Sequence, residues 1–521
     1  MKQEAVEVLI IGAGVSASIM AAKLAQAGKQ VLMLEAGPVR SMSDLISSQI
    51  WARRNKWGGS PVLDKGKQAV GNNFNAGWGT GGGGMHHYAV WPRMHEEDFR
   101  MRSEYGKGLD WPVSYEELRP YYDRIQREVG IAGDAEAEIW RPPGEPYPMP
   151  PLNLLSQGRI ISRGFEKLGM HTAPIPLAIN SIEYKGRPAC IYDGWCDAGC
   201  PTGALANPLA RYLPIAQKAG ARIKNHSMVT RIITNKKGNR VTGINYVDAD
   251  GMEHEQPADL IVLAAFTIQN PRLLLASAND RHPDGLANRS GLVGRYIMSH
   301  LAGRVSGLFN EPTEPHLGVN GGQLINQDDY PKTGDKKGFG SYQWLIASAV
   351  KPNDLLGIAS TRRDIFGQAL HHFMKDAAKH FGTMAAVVED LPLKSNYVGL
   401  STRKDKYNVP LAEVHHTSDP QSLTLWQHTQ EQGKRIFKAA GARETWGSQV
   451  GPMHIIGGTI MGDNPQASVT NEYGQCHDIS NLIITGSGLF PTSAGVNPTF
   501  TLSALALRTT DYLIKEWNVL K

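Results

Sequence analysis

Cysteine is scarce, with four residues in a chain of 521. That is too few to staple a secreted scaffold of this size with disulfides. No apolar run approaches the roughly 18 to 20 residues that span a bilayer. The amino terminus, MKQEAVEVLIIGAG, runs from an apolar stretch straight into glycines, without the cleavage site of a signal peptide. A charge excess is missing too: 54 basic residues against 49 acidic ones leave +5. The short charged runs Asn235–Arg240 and Arg403–Tyr407 read as solvated turns, so nothing points to nucleic acid. Internal repeats and low-complexity segments are also absent. What is present is a soluble, globular composition long enough for roughly three domain-sized units, and 56 glycines imply many tight turns.

The first informative block is local. Val6–Ile11 (VEVLII) reads as a short strand and GAGVSASIMAAKLAQAGK follows at once. Gly12 and Gly14 suit a tight strand-to-helix turn, and Ala17 offers the small side chain that lets helix and strand pack closely. Helical spacing continues to Ala27, with Gly28 as the stop. A second strand, QVLMLEAG, ends at Glu35, where a carboxylate suits the ribose hydroxyls of an adenosine while the helix N-terminus faces the pyrophosphate. Strand, helix, second strand and acid in register predict a dinucleotide site. The spacing alone does not separate NAD from FAD.

Further blocks carry a family likeness. They are GWGTGGGGMHHYAVWPRMHEEDF (Gly77–Phe99), DWPVSYEELRPYY (Asp110–Tyr122), LIVLAAFTIQNPRLLLASAN (Leu260–Asn279), VGRYIMSH (Val293–His300) and NLIITGSGLFPTSAGVNPTFTLSALALRTTDYL (Asn481–Leu513). Together they resemble the glucose–methanol–choline (GMC) oxidoreductases, and within them the bacterial large subunits of gluconate, fructose and FAD-glucose dehydrogenases and the glucoside 3-dehydrogenases. The resemblance implies an α/β fold: a Rossmann-like FAD-binding domain, discontinuous over 1–155, 205–300 and 450–521, and a substrate domain over 301–449 built on an antiparallel sheet. A cysteine-containing insertion would occupy 156–204. It also implies FAD, bound noncovalently, although a histidine such as His86 or His87 is where some relatives attach it. By that likeness Gly82, Gly83, His87, Val229, Ala265, Gly486, Ser487, Asn497, Pro498 and Thr499 join Gly12, Gly14, Ala17 and Glu35 as cofactor-binding residues. Four consecutive glycines, Gly81–Gly84, would let backbone N–H groups approach a ligand closely.

The family places a His–Asn or His–His pair beside the reactive edge of the flavin, and here the candidates are His454 and Asn497. Oxidising an alcohol requires a base for the hydroxyl proton, and a neutral imidazole serves. Asn497 would orient the substrate oxygen. A competing reading makes Asn497 the N-cap of a helix with Pro498 at its first position; the two differ only in where the amide points. Two family positions depart from the pattern. Thr485-Gly486-Ser487-Gly488 lacks the usual aspartate, and Ser299 stands before His300 where aspartate is common. Paired histidines at 371–372 and 415–416, taken as strand residues, would point to opposite faces and not chelate.

Three of the four cysteines lie in CIYDGWCDAGCP, as Cys190-x5-Cys196-x3-Cys200-Pro201, with Ile191 where relatives often have a further cysteine. The resemblance implies an iron–sulfur cluster, three-iron because three thiolates are available. Inert thiols, a disulfide, zinc or redox catalysis stay open. The expected enzyme is a sugar, sugar-acid or glycoside dehydrogenase. Its expected partners are a small subunit and a cytochrome or other acceptor, and it would be cytoplasmic, or periplasmic if exported with that subunit. An oxygen-using oxidase without a cluster is the alternative; a disulfide reductase or a non-enzymatic flavoprotein fits less well.

Overall fold

The computed structural model describes every residue except Trp57 and Thr361, and Asn73 and Phe74 only as part of a helix. Its first sheet is the nucleotide-binding one. Val6–Ile11, apolar and buried at five of six positions, lies at the centre of a parallel run between Val31–Leu34 and Glu253–Leu263. The full order is 222–224, 31–34, 6–11, 253–263, 241–247 and 228–234, with 482–484 also pairing to 253–263. Glu253–Leu263 joins two kinds of sheet. Its first half pairs antiparallel with Val241–Val247, and its second half pairs parallel with Val6–Ile11 and Leu482–Ile484. The helix Val15–Gln26 buries alanines and Ile19, Met20 and Leu24 against this sheet and against the C-terminal helix Thr499–Lys515. Small residues at that crossing let the backbones approach.

The second sheet is antiparallel throughout: 444–447, 298–308, 381–388, 342–346, 324–326 and 173–174, with 451–456 also on 298–308. Its outer face carries Tyr342, Trp344 and Ile346, packed with Leu425, Ile436 and Phe437 of the helix Pro420–Ala439. By strand alternation Gln343 and Leu345 face inward, and Leu345 lines the main cavity. A third, small sheet joins 397–404, 410–415 and 62–64. The α/β architecture is therefore the one expected. Ala173–Pro174 and Gly451–Ile456, taken from segments assigned to the insertion and the nucleotide-binding blocks, contribute strands to the antiparallel sheet. His371 and His372 sit in the helix Gln368–His380, not on a strand. Among the described residues no helix is long and apolar enough to cross a membrane.

Candidate active site

A cavity of about 360 Å³ opens at the carboxyl ends of the parallel strands, where ligands bind in such sheets. Every cofactor-binding residue expected from sequence lines it, as does His454. Gly12 holds φ at +108°, and a Cβ there would come within 2.5 Å of the Ala264 carbonyl oxygen, so only glycine makes this turn. Gly14 differs: a Cβ would meet no protein atom within 4 Å, because it would point into the cavity itself. Glu35 is nearly buried. Its Oε2 accepts from Ala13 N–H (3.1 Å), and Oε1 accepts from Gly37 N–H (2.8 Å) and Gly79 N–H (3.2 Å). Burial pushes its carboxyl above the usual carboxylate range, against those three donors and nearby Arg40. The carboxylate thus ties the first turn to the glycine loop, with one of its roughly four lone-pair sites left for a ligand.

The opposite end of the cavity is built from four distant segments. In the strand Gly451–Ile456, Met453 pairs with His300 and Ile455 with Ser299, which leaves His454 as the extra residue of a β-bulge. Its φ of +53° and its N–H bond to Asn75 Oδ1 (3.0 Å) hold that bulge, which turns the imidazole inward. His300 Nε2 lies 3.0 and 2.8 Å from the carbonyls of Ser493 and Ala494. Carbonyls only accept, so that nitrogen carries the hydrogen of a neutral ring and His300 Nδ1 is bare. His454 Nδ1, 3.1 Å away, must then donate to it, leaving His454 Nε2 without a hydrogen. Asn497 Nδ2 donates to that nitrogen at 3.2 Å. Burial, followed by the neighbouring His300, which opposes a second positive ring beside it, lowers the His454 pKa well below the usual imidazole value, so it stays neutral. The C-terminal helix begins at Thr499 with no side-chain cap, so the Asn497 amide faces His454 and does not cap the helix.

A profile described as GMC oxidoreductase matches residues 6–302, and a second with the same description matches 392–506. The chain belongs to the GMC oxidoreductase family. It is 33% identical to the 2-methyl-1,2-propanediol dehydrogenase of Mycolicibacterium austroafricanum, covering 98% of this chain and 96% of that one. It is 31% identical to the fructose dehydrogenase large subunit of Gluconobacter japonicus, with 98% of each covered. Among solved structures, a formate oxidase variant of Aspergillus oryzae superposes with a TM-score of 0.71 over the whole of both chains at 15% identity, which speaks to the fold alone.

This GMC oxidoreductase is therefore an FAD-dependent enzyme acting on alcohol groups, and its residues fit the cofactor. The space beyond Gly14 faces the N-terminus of Val15–Gln26, the ready-made place for a pyrophosphate. His87 Nδ1 donates to the Gly84 carbonyl (2.8 Å), while its Nε2 lines the same cavity, buried and with no partner among the described residues. A bound ligand satisfies such an orphan.

The cysteine loop is different. Cys190, Cys196 and Cys200 are all free thiols. The Tyr192 N–H reaches Cys190 Sγ and the Leu205 N–H reaches Cys200 Sγ, both at 3.4 Å. Burial pushes Cys190 up to about 11 and lifts Cys196 well above the ordinary thiol value. Among the described residues no group of three His, Cys, Asp or Glu side chains is placed to hold a metal ion. In this geometry the three thiols do not fit a cluster.

The sequence pattern missed three groups at the His454 end of the cavity: His300, Asn75 and Gln343. His300 closes the block VGRYIMSH, so its signal was present without a role. The carboxylate missing at Ser299 arrives from elsewhere, since Asp390 Oδ2 accepts from Ser299 N–H (3.1 Å) and is 2.8 Å from His416 Nε2.

Proposed function

We propose that the enzyme oxidises a secondary or anomeric alcohol of a sugar, sugar acid or glycoside to the keto or lactone product. The observation that carries the chemistry is the bare Nε2 of His454, with Asn497 Nδ2 beside it. A substrate hydroxyl entering between them would donate its proton to Nε2 and accept from the Asn497 amide. FAD, when bound, supplies the two-electron acceptor that takes hydride from the carbinol carbon. Gly12, Gly14, Ala17, Glu35, Val229 and Ala265 would hold the dinucleotide. Gly82, Gly83 and His87 would cover it noncovalently, and Gly486, Ser487, Pro498 and Thr499 would sit at the ring system. The positive end of Thr499–Lys515 favours negative charge there. We assign 1–155, 205–300 and 450–521 to FAD binding, 301–449 to substrate, and 156–204 to an insertion.

The fructose dehydrogenase relative supports a sugar, and its name as a large subunit supports a smaller partner subunit and an external acceptor such as a cytochrome. The propanediol relative favours a second reading, a small vicinal diol. That diol has one tertiary carbinol carbon with no hydrogen to lose, so only its primary alcohol can be oxidised. Anaerobic mixing of the FAD-loaded enzyme with D-fructose, gluconate, methyl glucosides and 2-methyl-1,2-propanediol separates the two readings by which of them bleaches the flavin. His454→Ala should slow that bleaching by about 10² to 10⁴-fold; an unchanged rate removes the base assignment. For the electrons' exit no path is drawn through the three thiols, whose loop packs on the glycine loop through Met85 and Gly199 but, among the described residues, does not gather them into a metal site. Iron assay and EPR of anaerobically purified protein decide between a cluster and plain thiols, and fast reoxidation by air would mark an oxidase.

A further inference from the structure

Gln343 is fully buried on the inner face of the antiparallel sheet, in a strand whose other residues are aromatic or aliphatic. Its amide joins two others. Gln327 Nε2 donates to Gln343 Oε1 (2.9 Å), and Gln343 Nε2 donates to Asn497 Oδ1 (2.8 Å). At the far end His95 Nε2 lies 3.1 Å from Gln327 Oε1, its ring stacked on Tyr330. Six side chains thus form one hydrogen-bonded line: His95, Gln327, Gln343, Asn497, His454, His300.

The line has a direction. An amide can be turned over, which exchanges donor for acceptor, so each amide takes its sense from its neighbours. The two carbonyls at His300 Nε2 anchor the whole series, since they accept only. They require hydrogen on His300 Nε2, then on His454 Nδ1, and they leave His454 Nε2 bare. Asn497 must therefore present N–H to His454 and carbonyl to Gln343, and Gln343 must present N–H to Asn497. Reversing the series would put hydrogens on both nitrogens of His454, a buried cation whose ring contacts are His300 and Asn497.

We propose that Gln343 is a positioning residue: its N–H holds the Asn497 carbonyl away from the reacting alcohol, so that the Asn497 N–H faces the substrate oxygen. The inference rests on the reading of His454 and Asn497 as the alcohol-binding pair. A turned Asn497 would aim a carbonyl at His454 Nε2, where it stabilises the protonated ring and offers the substrate oxygen no donor. The first leaves less of the bare nitrogen that must take the proton, and the second leaves the substrate oxygen unheld.

The test is Gln343→Met, close in shape and lacking both amide groups, in the FAD-loaded enzyme. The rate of flavin reduction at saturating substrate should fall about 10 to 100-fold, read with whichever of D-fructose and 2-methyl-1,2-propanediol reduces the wild type faster. The kinetic pKa of the base should rise by about one unit, the equivalent of one exchanged hydrogen bond. The titratable groups facing His454 are His300 directly and, beyond it, Asp390 and Asp98, and none of these is altered. In an Asn497→Ala background the same substitution should cost nothing further, because no amide remains to orient. Nitrogen-15 histidine spectra, with His454 assigned from His454→Asn, give a readout that needs no turnover. The wild type should show His454 protonated at Nδ1 only, and Gln343→Met should protonate its Nε2 at higher pH. An unmoved pH profile and spectrum, or an equal loss in both backgrounds, means that Gln343 only braces the sheet and overturns the proposal. Should His454→Ala reduce flavin normally, the base assignment falls while the spectra still decide Gln343.

Discussion

The glycine loop should make cofactor retention acid-sensitive through His86. This imidazole is 8% exposed and its Nε2 hydrogen is directed at the Ala76 carbonyl, 3.0 Å away. Burial first, and the nearby Lys56 charge second, lower its pKa to about 3. In the unfolded chain the ring titrates at its ordinary value of about 6.5. Between these values the unfolded state binds a proton that the folded state refuses, so stability falls as pH falls from about 6.5 toward 3. Each pH unit inside that window costs about 1.4 kcal/mol, so the step from pH 7 to pH 5 costs about 2 kcal/mol through His86 alone. His87, lowered to about 4 by burial, acts in the same direction. Both residues line the cavity, so opening of the loop and loss of FAD should coincide. The assay is urea unfolding of the holoenzyme at pH 7 and pH 5, with free FAD followed by its fluorescence. His86→Gln keeps an N–H for Ala76 and removes the titration, so it should recover about 2 kcal/mol of the loss at pH 5. A variant with the same pH dependence as the wild type would refute the reasoning.

Two further outcomes follow from packing and charge. Gly12→Ala, at φ +108° and 2.5 Å from a carbonyl oxygen, should cost at least about 2 kcal/mol and yield protein with little flavin, read from the ratio of flavin to protein absorbance. Lys332 is fully buried between Asp98 and Glu389 (2.8 Å); burial opposes its charge, yet the two carboxylates hold it protonated above the usual lysine range. Lys332→Met should lose about 3 to 5 kcal/mol in thermal unfolding, and adding Asp98→Asn with Glu389→Gln should restore much of it. Through Tyr330, which is bonded to Asp98 and to the Gly495 N–H, the same variant should loosen the turn that carries Asn497 and slow flavin reduction.

Much of the cofactor end was legible in the chain. Gly12, Gly14, Ala17 and Glu35 lie within one strand–helix–strand unit and line one cavity, because there sequence spacing translates directly into spatial spacing. Even there the carboxylate differs from its simple reading: Glu35 spends three acceptor positions on backbone N–H groups before any ribose. The cysteine run shows the opposite limit. Its spacing suggested a ligand set, but a cluster needs sulfur atoms converging in space, and spacing along a loop does not secure that.

The amino-acid sequence by itself determined the family, the nucleotide turn and the candidacy of His454 and Asn497, because each is written in contiguous residues with strong local preferences. Tertiary structure alone decided what those two side chains face. Residues 75, 300, 343, 454 and 497 meet only because Met298–Leu308 pairs with Gly451–Ile456 across a bulge, and because the sheet turns Gln343 inward. Which nitrogen of His454 is bare then depends on two carbonyls at Ser493 and Ala494. A hydrogen atom's position is set by the partners around it, and these partners come from distant parts of the chain.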